Sequence, residues 1–327
     1  MNVTRNTVGR AKGSASDTPH LEAFLENESL LFSIAYRMMG SAEDARDLLQ
    51  ETYIRFFAED FASIRNPRAF LVTILTRLAI DAKRSAYEKK RVYPGPWLPE
   101  PIMDGFEESL VFSDSAGAAF LLLLERLSPL ERAVVLLRDV FDYEYSEIAE
   151  IVAKKQDYCR KIAERARKRV KQDRVLSSDA GLSEGRKQTL LRSFEKACSR
   201  GDLSTLVELL AEDVRVLTDG GGRAVAAMRE IYGSDRASRF FAGLASKSPG
   251  SYSVPIRVGG RLSVILYEPD HSMNGVVQFG FRDGQISEFY AVRNPDKLVS
   301  IRRKIQSSPW LRIKIAFFRF LARWRKS

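Results

Sequence analysis

Two clusters of basic side chains are the features of this sequence that are best suited to bind a ligand. One lies between Arg68 and Arg91, just before the proline-rich segment 94–101, and the other is RKIAERARKRV at 160–170. Clustered Lys and Arg residues attract polyanions, and their positions identify a partner better than the net charge does. Most of the net charge of +10 comes from residues 299–327, which carry nine Lys or Arg and no acid. The sequence therefore predicts a protein that binds a polyanion at two places.

The residue types needed for acid–base or metal chemistry are scarce. The chain of 327 residues has two histidines, His20 and His271, and two cysteines, Cys159 and Cys198. No spacing resembles a set of metal ligands or a catalytic pair, and both cysteines fall on apolar positions of predicted helices. We therefore expect no catalytic residue, no metal site, no cofactor and no disulfide bond.

The location of the protein is also indicated by its apolar pattern. No stretch is apolar over the roughly 18 to 20 residues that cross a bilayer. The polar N-terminus lacks the apolar core of a signal peptide. We expect a cytoplasmic protein whose first residues, 1–19, are disordered.

Two amphipathic helices begin the ordered part of the chain. Apolar residues recur at helical spacing from Leu21 to Met39, Gly40 ends that helix, and Ser41 caps the next one. The polar face of the second helix carries Glu43, Asp44, Arg46, Asp47, Gln50 and Glu51. Without further information, a polar face of this kind on a helix is interpreted as a surface exposed to water rather than as a binding site.

A long basic helix follows, and then an irregular segment. Asn66-Pro67 interrupts the periodicity, and a helix is predicted from about Arg68 to Lys90. Residues 92–116 form a linker rich in Pro, Gly and acids. Single-stranded nucleic acid is held by charge together with flat side chains on which bases stack. Phe70, Tyr87 or Tyr93 could supply such stacking here.

The next segment has the pattern of a helix-turn-helix. Ser128-Pro129 with Glu131 is a strong helix start, a shorter helix opens at Ser146, and residues 153–155 form a tight turn. The outward face of the third helix carries Tyr158, Arg160, Lys161, Arg165, Arg167 and Lys168. A basic last helix after a tight turn is typical of modules that enter the major groove of DNA. A charged surface helix would show the same pattern.

The C-terminal half changes from helices to strands. After a polar linker near 173–186, helices are predicted at about 187–200 and 202–211. The remaining elements are strands at 214–218, 252–258, 261–268, 274–281 and 285–292, and a helix near 236–245. Helices first and an antiparallel sheet afterwards indicate an α+β domain.

These features together resemble the bacterial extracytoplasmic-function sigma factors, in the group with a C-terminal SnoaL-like domain. Three motifs carry the resemblance: WLPEP at 97–101, DGGGR at 219–223 and NPDKL at 294–298. Each motif alone is weak, but three in the right order behind both helical modules are specific. The likeness covers about residues 20–298. The glycine motif usually ends in Lys, whereas here it ends in Arg223, and an Arg fork is not equivalent to a Lys.

The resemblance implies a multidomain fold. It consists of two all-α sigma modules, a region 2 helical bundle and a region 4 helix-turn-helix, followed by an α+β SnoaL/NTF2-like cone domain. The expected segments are 1–19 (disordered), 20–92 (region 2-like), 93–116 (linker), 117–172 (region 4-like), 173–186 (linker), 187–298 (SnoaL-like) and 299–327 (basic amphipathic tail).

The resemblance also implies roles for individual residues in binding core RNA polymerase and promoter DNA. Those expected to bind core polymerase, through its β′ clamp and β subunits, are Asp44, Asp47, Leu48, Gln50 and Glu51. Those expected at the minus-ten element are Asn66, Arg68, Arg77, Lys83 and Arg84. Those expected at the minus-thirty-five element are Lys155, Tyr158, Arg160, Lys161, Arg165 and Arg167.

The same resemblance implies that the C-terminal domain regulates the sigma modules in cis. The residues expected to do so are Trp97, Leu98, Pro99, Glu100, Pro101, Asp219, Gly220, Gly221, Gly222, Arg223, Asn294, Pro295, Asp296, Lys297 and Leu298. Two other classes of function stay open. One is a helix-turn-helix regulator whose SnoaL-like domain binds a small ligand, and the other is a SnoaL-type cyclase or isomerase.

The tail is the part on which the resemblance is silent. On a helix covering 310–324, one stripe carries Trp310, Ile313, Phe317, Phe320, Leu321 and Trp324. A helix with aromatic residues on one side and only positive charge elsewhere is typical of a membrane-surface binder. Packing against the protein itself and extra contacts with DNA are the alternatives. A membrane-surface role would place the protein at the inner face of the membrane.

Overall fold

The computed structural model describes residues 18–90, 93–103, 118–172 and 182–324. Its first helical group consists of α1 (Thr18–Met39), α2 (Ala42–Phe57) and α3 (Pro67–Lys90), with a short 3-10 turn at Phe61–Ser63. The predicted cap of α2 is confirmed, because the Ser41 hydroxyl accepts a hydrogen bond from the amide of Asp44 at 3.2 Å. The predicted disordered N-terminus lies outside the described residues, apart from the start of α1.

The second helical group consists of α4 (Ala118–Leu124), α5 (Pro129–Val135), α6 (Tyr145–Ile151) and α7 (Gln156–Gln172). A π-helical turn, Leu136–Val140, follows α5. The predicted start of α5 is confirmed as a capping box between Ser128 and Glu131. In the turn between α6 and α7, Ala153 has a φ of 51°, so the chain reverses over a few residues. The predicted helix-turn-helix is therefore present.

The two helical groups share one apolar core. Side chains of α1, α2 and α3 belong to the same buried cluster as those of α4, α5, α6 and α7, together with Ile102. Buried apolar area is the main favourable term in folding. The two modules therefore stabilise each other and are packed side by side.

A mixed sheet with three helices forms the C-terminal part of the chain. It consists of α8 (Glu184–Arg200), α9 (Leu203–Leu209), β1 (Leu210–Asp219), β2 (Ile231–Tyr232), α10 (Ser234–Lys247), β3 (Tyr252–Val258), β4 (Arg261–Tyr267), β5 (Met273–Arg282) and β6 (Gln285–Val292). The strand order is β2-β1-β6-β5-β4-β3. The pair β1–β6 is parallel and the other pairs are antiparallel.

Both faces of this sheet are covered. Alternate residues of a strand point to opposite faces, and in β6 Phe289 packs with α8, α9 and α10 whereas Tyr290 packs on the other side. That second side buries Leu98 and Met103 of the linker together with residues of the tail. The linker between the helical groups is thus part of the core of the sheet domain.

The tail forms two helices, α11 (Val299–Ser307) and α12 (Pro309–Trp324), after a 3-10 turn at Pro295–Leu298. Ile301 and Leu311 are buried against the second face of the sheet, and Ile305, Ile315 and Phe318 pack beside them. Among the described residues, no helix is long and apolar enough to cross a bilayer.

Several predicted boundaries differ from the structure. Helix α8 begins at Glu184, inside the segment expected as a linker, because the Ser183 hydroxyl caps it. Strand β1 begins at Leu210 rather than at Val214, since Leu210 already pairs with Ile286 of β6. Much of the 93–116 linker, from residue 104 onward, lies outside the described residues.

Candidate functional site

The carboxylate of Asp219, at the end of β1, is the centre of a polar site that joins the sheet to the linker. Its Oδ1 accepts a hydrogen bond from the Tyr93 hydroxyl at 2.5 Å. Its Oδ2 accepts from the backbone amide of Leu98 at 2.8 Å and from the Lys297 ammonium at 2.7 Å. Asp219 is fully buried, and a buried carboxylate is tolerated only when donors of this kind surround it.

Lys297 contacts the linker as well as Asp219. Its Nζ atom donates to the backbone carbonyl of Leu98 at 2.6 Å and lies 4.1 Å from the centre of the Trp97 ring and 4.9 Å from that of Tyr93. A cation over an aromatic face is attracted by the ring quadrupole, more strongly when water is excluded. One lysine therefore contacts Trp97, Leu98 and Asp219 at once.

Asn294 and Gly221 complete this arrangement. The Asn294 side chain donates to the Tyr93 hydroxyl at 3.0 Å and accepts from the amide of Asp296. Gly221 has a φ of +58°, and a Cβ added there would lie 2.2 Å from Nδ2 of Asn294. Only glycine fits so close an approach in that conformation. We call Tyr93, Trp97, Leu98, Asp219, Asn294 and Lys297 the linker clasp.

The environment of Tyr93 changes its acidity. Burial of the side chain, followed by its hydrogen bond to the Asp219 carboxylate, raises the pKa of Tyr93 above the usual value of 10.0. Both effects disfavour a phenolate next to an existing negative charge. The Tyr93 hydroxyl therefore stays protonated and donates to Asp219 across the physiological pH range.

The other end of the linker motif is bound to the first helical group. The amide of Glu100 donates to the carbonyl of Gly40 at 2.9 Å, and its carboxylate accepts from the amide of Ala42 at 2.7 Å. The Tyr36 hydroxyl donates to the carbonyl of Glu100 at 2.7 Å. A Cβ at Gly40 would lie 2.6 Å from the Trp97 ring. Residues 97–101 thus connect the sheet domain to the junction of α1 and α2.

The remaining predicted regulatory residues lie around these two contacts. Pro99 is buried, Leu298 is buried against the sheet, and Arg223 forms an exposed ion pair with Asp296. The carbonyl of Pro101 accepts a hydrogen bond from Ser300 at 3.4 Å. Gly220 and Gly222 lie in the turn after β1, and Pro295 opens the 3-10 turn that carries Lys297. The structure therefore brings all three motifs together.

The residues expected to bind core polymerase lie on α2. Asp44, Asp47 and Gln50 are exposed, and Glu51 is half-buried and paired with Arg55 at 2.7 Å. Leu48 is 8% exposed and belongs to the shared helical core. Leu48 can therefore support this face from below, whereas the polar residues can reach a partner.

The residues expected at the minus-ten element divide into two sets. Asn66, Arg68 and Arg84 are exposed, and the Asn66 side chain caps α3 by accepting from the amide of Ala69. Arg77 instead donates to the carbonyls of Ile151 at 2.8 Å and Glu150 at 2.9 Å, at the end of α6. In this arrangement Arg77 therefore binds the second helical group.

Lys83, like Arg77, is bonded within the protein. It is buried and donates to Glu125 at 2.8 Å and to the carbonyl of Met39. Glu125 also pairs with the fully buried Arg132, whose guanidinium binds the carbonyl of Arg37. We call the contacts of Arg77, Lys83, Glu125 and Arg132 the module interlock. Basic residues of α3 and α5 thus bind one helical group to the other.

The outer face of α7 carries the residues expected at the minus-thirty-five element. Lys155, Tyr158, Arg160 and Lys161 are exposed in the turn and on the first half of the helix. Further along, Arg165 lies 3.5 Å from Glu131, and Arg167 forms a bidentate pair with Asp139. The N-terminal half of α7 is therefore the part of this face that is open to a partner.

The module interlock was not predicted from the sequence. Arg77 and Lys83 stand in a basic helix, and that pattern is equally consistent with DNA contact and with buried pairing. Glu125 follows α4 and Arg132 lies in α5, and no sequence signal marks either residue as part of a buried pair. For Tyr93 the sequence predicts only a possible role in base stacking. In the structure Tyr93, four residues before the WLPEP motif, is bonded to Asp219.

Comparison with known proteins agrees with the sequence motifs. The family model Sigma-70 region 2 matches residues 23–88, and the model Sigma-70, region 4 matches residues 118–170. The ECF RNA polymerase sigma factor SigJ of Mycobacterium tuberculosis is 33% identical over 281 residues, which is 82% of this chain and 89% of SigJ. The probable ECF RNA polymerase sigma factor SigI of that species is 26% identical over 88% of this chain and 97% of its own.

A solved structure shows the same likeness over most of the chain. The crystal structure of SigJ from Mycobacterium tuberculosis superposes with a TM-score of 0.68 and 30% sequence identity. The match covers 86% of this chain and 98% of that one. The shared architecture therefore includes the helical groups and most of the sheet domain.

Proposed function

Because this chain belongs to the extracytoplasmic-function RNA polymerase sigma factors with a SnoaL-like C-terminal domain, we propose that this domain regulates the two sigma modules in cis. The domain would do so through the linker clasp, which binds the segment between the two modules. The single observation that carries the proposal is the bond set of Asp219, which joins Tyr93, Leu98 and Lys297. A sigma factor is a transcription factor without enzymatic activity, and it binds core RNA polymerase and promoter DNA.

We propose that this arrangement is a closed state of the sigma factor. The minus-ten and minus-thirty-five elements are about 25 base pairs apart, or roughly 85 Å at 3.4 Å per base pair. Here a hydrogen bond of 2.8 Å joins α3 to the end of α6, so the two modules lie side by side. Both elements can be bound at once only if the module interlock opens.

The clasp would determine how easily that opening takes place. Residues 93–103 follow α3 and precede the second helical group, so any separation of the modules moves them. Leu98 and Met103 are buried in the sheet domain, and Glu100 is bonded to Gly40 and Ala42 of the first helical group. A linker held both in the sheet domain and against the first helical group would limit the separation of the modules. Release of the clasp would then favour the open, promoter-binding state.

We propose the following assignment of surfaces in the open state. The exposed residues Asp44, Asp47 and Gln50 of α2 meet the β′ clamp of core polymerase. Phosphates and bases of the minus-ten element are bound by Arg68 and Arg84, and by Arg77 and Lys83 once they are released. The open half of α7, from Lys155 to Lys161, reads the minus-thirty-five element, since a recognition helix contacts bases through its N-terminal residues.

We propose that the protein acts in the cytoplasm, where core polymerase and promoter DNA are found. A separate anti-sigma protein would then not be required, because the regulator is part of the chain. A small ligand of the C-terminal domain stays a prediction. A groove of about 720 Å³ between α8, β3 and α12 is lined by apolar residues and by charges of both signs, among them Ile256, Lys314 and Glu195. It is the place where such a ligand could be sought.

Run-off transcription with purified core polymerase tests the proposal. The promoter would be selected from random DNA, and the full chain would be compared with Lys297→Met and with Arg223→Gln as the matched control. Lys297 is in the clasp, whereas Arg223 forms an exposed pair beside it. We expect transcription only with core polymerase present and a change of several-fold for Lys297→Met alone. Equal activity of all three proteins, with all three folded, would contradict regulation through the clasp.

A further inference from the structure

The exposed face of α12 is apolar and aromatic. Trp310, Ile313 and Phe317, with Phe320 on the same side, are between 55% and 69% exposed. Successive residues of an α-helix are turned by about 100°, so these positions form one stripe along the helix. An aromatic stripe of this kind on a surface marks an interaction site.

The same helix is fixed to the sheet domain by a second stripe. Leu311 is buried, and Ile315 and Phe318 pack beside it against the second face of the sheet. The predicted packing of the tail against the protein and its predicted aromatic stripe therefore concern two different faces. Because one face is bound to the protein, the direction of the other is defined.

Within the tail itself, the exposed stripe is accompanied only by positive charge. Arg312 and Arg319 lie on one side of it, and Lys314 lies on the other, 5.0 Å from the centre of the Trp310 ring. The exposed side chains of Arg302 and Arg303 on α11 extend the basic surface. Residues 299–327 contain no Asp or Glu. A partner of this surface must therefore combine an apolar layer with negative charge.

We propose that this face of α12 docks the protein on an anionic lipid surface, which goes beyond its role in promoter recognition. Tryptophan and phenylalanine sit at the boundary between headgroups and acyl chains. The arginine and lysine side chains flanking them reach the phosphates of anionic lipids. The helix would lie parallel to the surface, with the sheet domain above it.

A second copy of the chain fits this surface less well. In a two-fold symmetric dimer, the same patch faces itself, so Arg312 and Arg319 of one copy would approach those of the other, and residues 299–327 carry no acid to pair with them. Duplex DNA would satisfy the charge but would leave the four apolar side chains of the stripe against phosphates. The lipid surface is the occupant that satisfies both properties.

Vesicle co-sedimentation of the full chain tests the proposal. The vesicles would contain about 30% phosphatidylglycerol in phosphatidylcholine, with pure phosphatidylcholine as the neutral reference. We expect the parent to bind the anionic vesicles, and Ile313→Glu to weaken binding roughly tenfold or more, because a charge replaces an inserted apolar group. Val225→Glu, at a side chain 82% exposed in the sheet domain, is the matched control and should bind like the parent. Arg312→Gln with Arg319→Gln should weaken binding roughly fivefold for each cation removed.

Point variants are preferred to deletion of the tail. A cut after Leu298 would remove Ile301 and Leu311, which are buried against the sheet, so a change in location could follow from unfolding. The Ile313 side chain is 69% exposed, and its replacement leaves the packed face of α12 intact. Equal unfolding midpoints of the parent and Ile313→Glu would verify this.

Three outcomes would overturn the proposal. The first is equal vesicle binding by the parent and Ile313→Glu. The second is a parent that binds neither kind of vesicle. The third is a parent that forms a dimer or a DNA complex which the Ile313→Glu substitution abolishes. Run-off transcription in the absence of lipid distinguishes this failure from failure of the proposed regulation. Ile313→Glu should leave transcription unchanged, because the Ile313 side chain is 69% exposed on the face of α12 away from Leu311, which packs against the sheet.

Discussion

The ammonium group of Lys297 lies 4.1 Å from the centre of the Trp97 ring. Lys297 follows the last strand of the sheet, whereas Trp97 belongs to the linker between the two helical groups, and 199 positions of sequence separate Lys297 from its bonded neighbour Leu98. The same lysine forms a buried ion pair with Asp219. Through this one side chain, the C-terminal domain binds the linker between the two helical groups at three points.

Removal of the lysine charge should loosen the clasp. Lys297→Met leaves the fully buried carboxylate of Asp219 without its cation, and breaking one partner of a buried pair costs about 3–5 kcal/mol. Urea unfolding of the full chain would measure this loss. The control Arg223→Gln breaks an ion pair whose side chains are 63% and 59% exposed, and we expect a change of about 0–1 kcal/mol.

Gly221→Ala should have a similar effect through the backbone. Alanine at a φ of +58° is strained, and its Cβ would meet Nδ2 of Asn294, so we expect a loss of about 2–4 kcal/mol in unfolding free energy. Gly185→Ala is the control, because Gly185 lies in α8 with open space around its Cα. That variant should gain about 0.5–1 kcal/mol from helix propensity. Equal effects of the two substitutions would contradict the geometry of the clasp.

The stability of the clasp should fall at high pH. Burial and the bond to Asp219 raise the pKa of Tyr93 above 10.0, so the unfolded chain loses this proton first. The stabilisation is fully present below the unfolded pKa of about 10 and is lost as the pH rises from there towards the folded pKa. Tyr93→Phe, compared with the parent in urea titrations at increasing pH, should show a flatter decline. An unchanged decline in Tyr93→Phe would show that other groups cause it.

Loss of Arg77 should open the two modules. Arg77→Gln removes the charged donor from the carbonyls of Glu150 and Ile151, so small-angle scattering should report a larger radius of gyration. Arg68→Gln is the control, since Arg68 is exposed on the same helix, and it should leave the radius unchanged. A compact Arg77→Gln protein would show that the shared apolar core and the remaining interlock contacts of Lys83, Glu125 and Arg132 are enough to keep the modules closed.

Lys161 should contribute to binding of duplex promoter DNA. Each phosphate contact adds about 0.9 to the slope of log affinity against log salt, so Lys161→Ala should reduce that slope by about one. Fluorescence anisotropy with a minus-thirty-five duplex at several salt concentrations would measure it. Lys196→Ala, an exposed lysine of α8 in the sheet domain, should retain the slope of the parent. A loss of slope in both variants would indicate only a general effect of net charge.

Local patterns in the sequence determined most of the elements of this protein. The caps at Ser41 and Ser128 are predicted correctly, because each depends on residues within one turn of the helix. The family was also recognisable from three motifs in order. That all three motifs converge on residues 93–103 could be expected only from resemblance, since no local rule relates Trp97 to Asp219.

Only the tertiary structure decided which charged and apolar side chains face a partner. Arg77 and Lys83 lie on the same basic helix as Arg68 and Arg84, yet the first two are bonded to distant parts of the chain, the end of α6 and Glu125. On α12, periodicity identified an aromatic stripe, but packing against the sheet selected the face of Leu311 and left that of Ile313 in solvent. The periodicity of apolar residues predicts which residues share a face of a helix. Which face is buried depends on what packs against it, and that surface comes from distant parts of the chain.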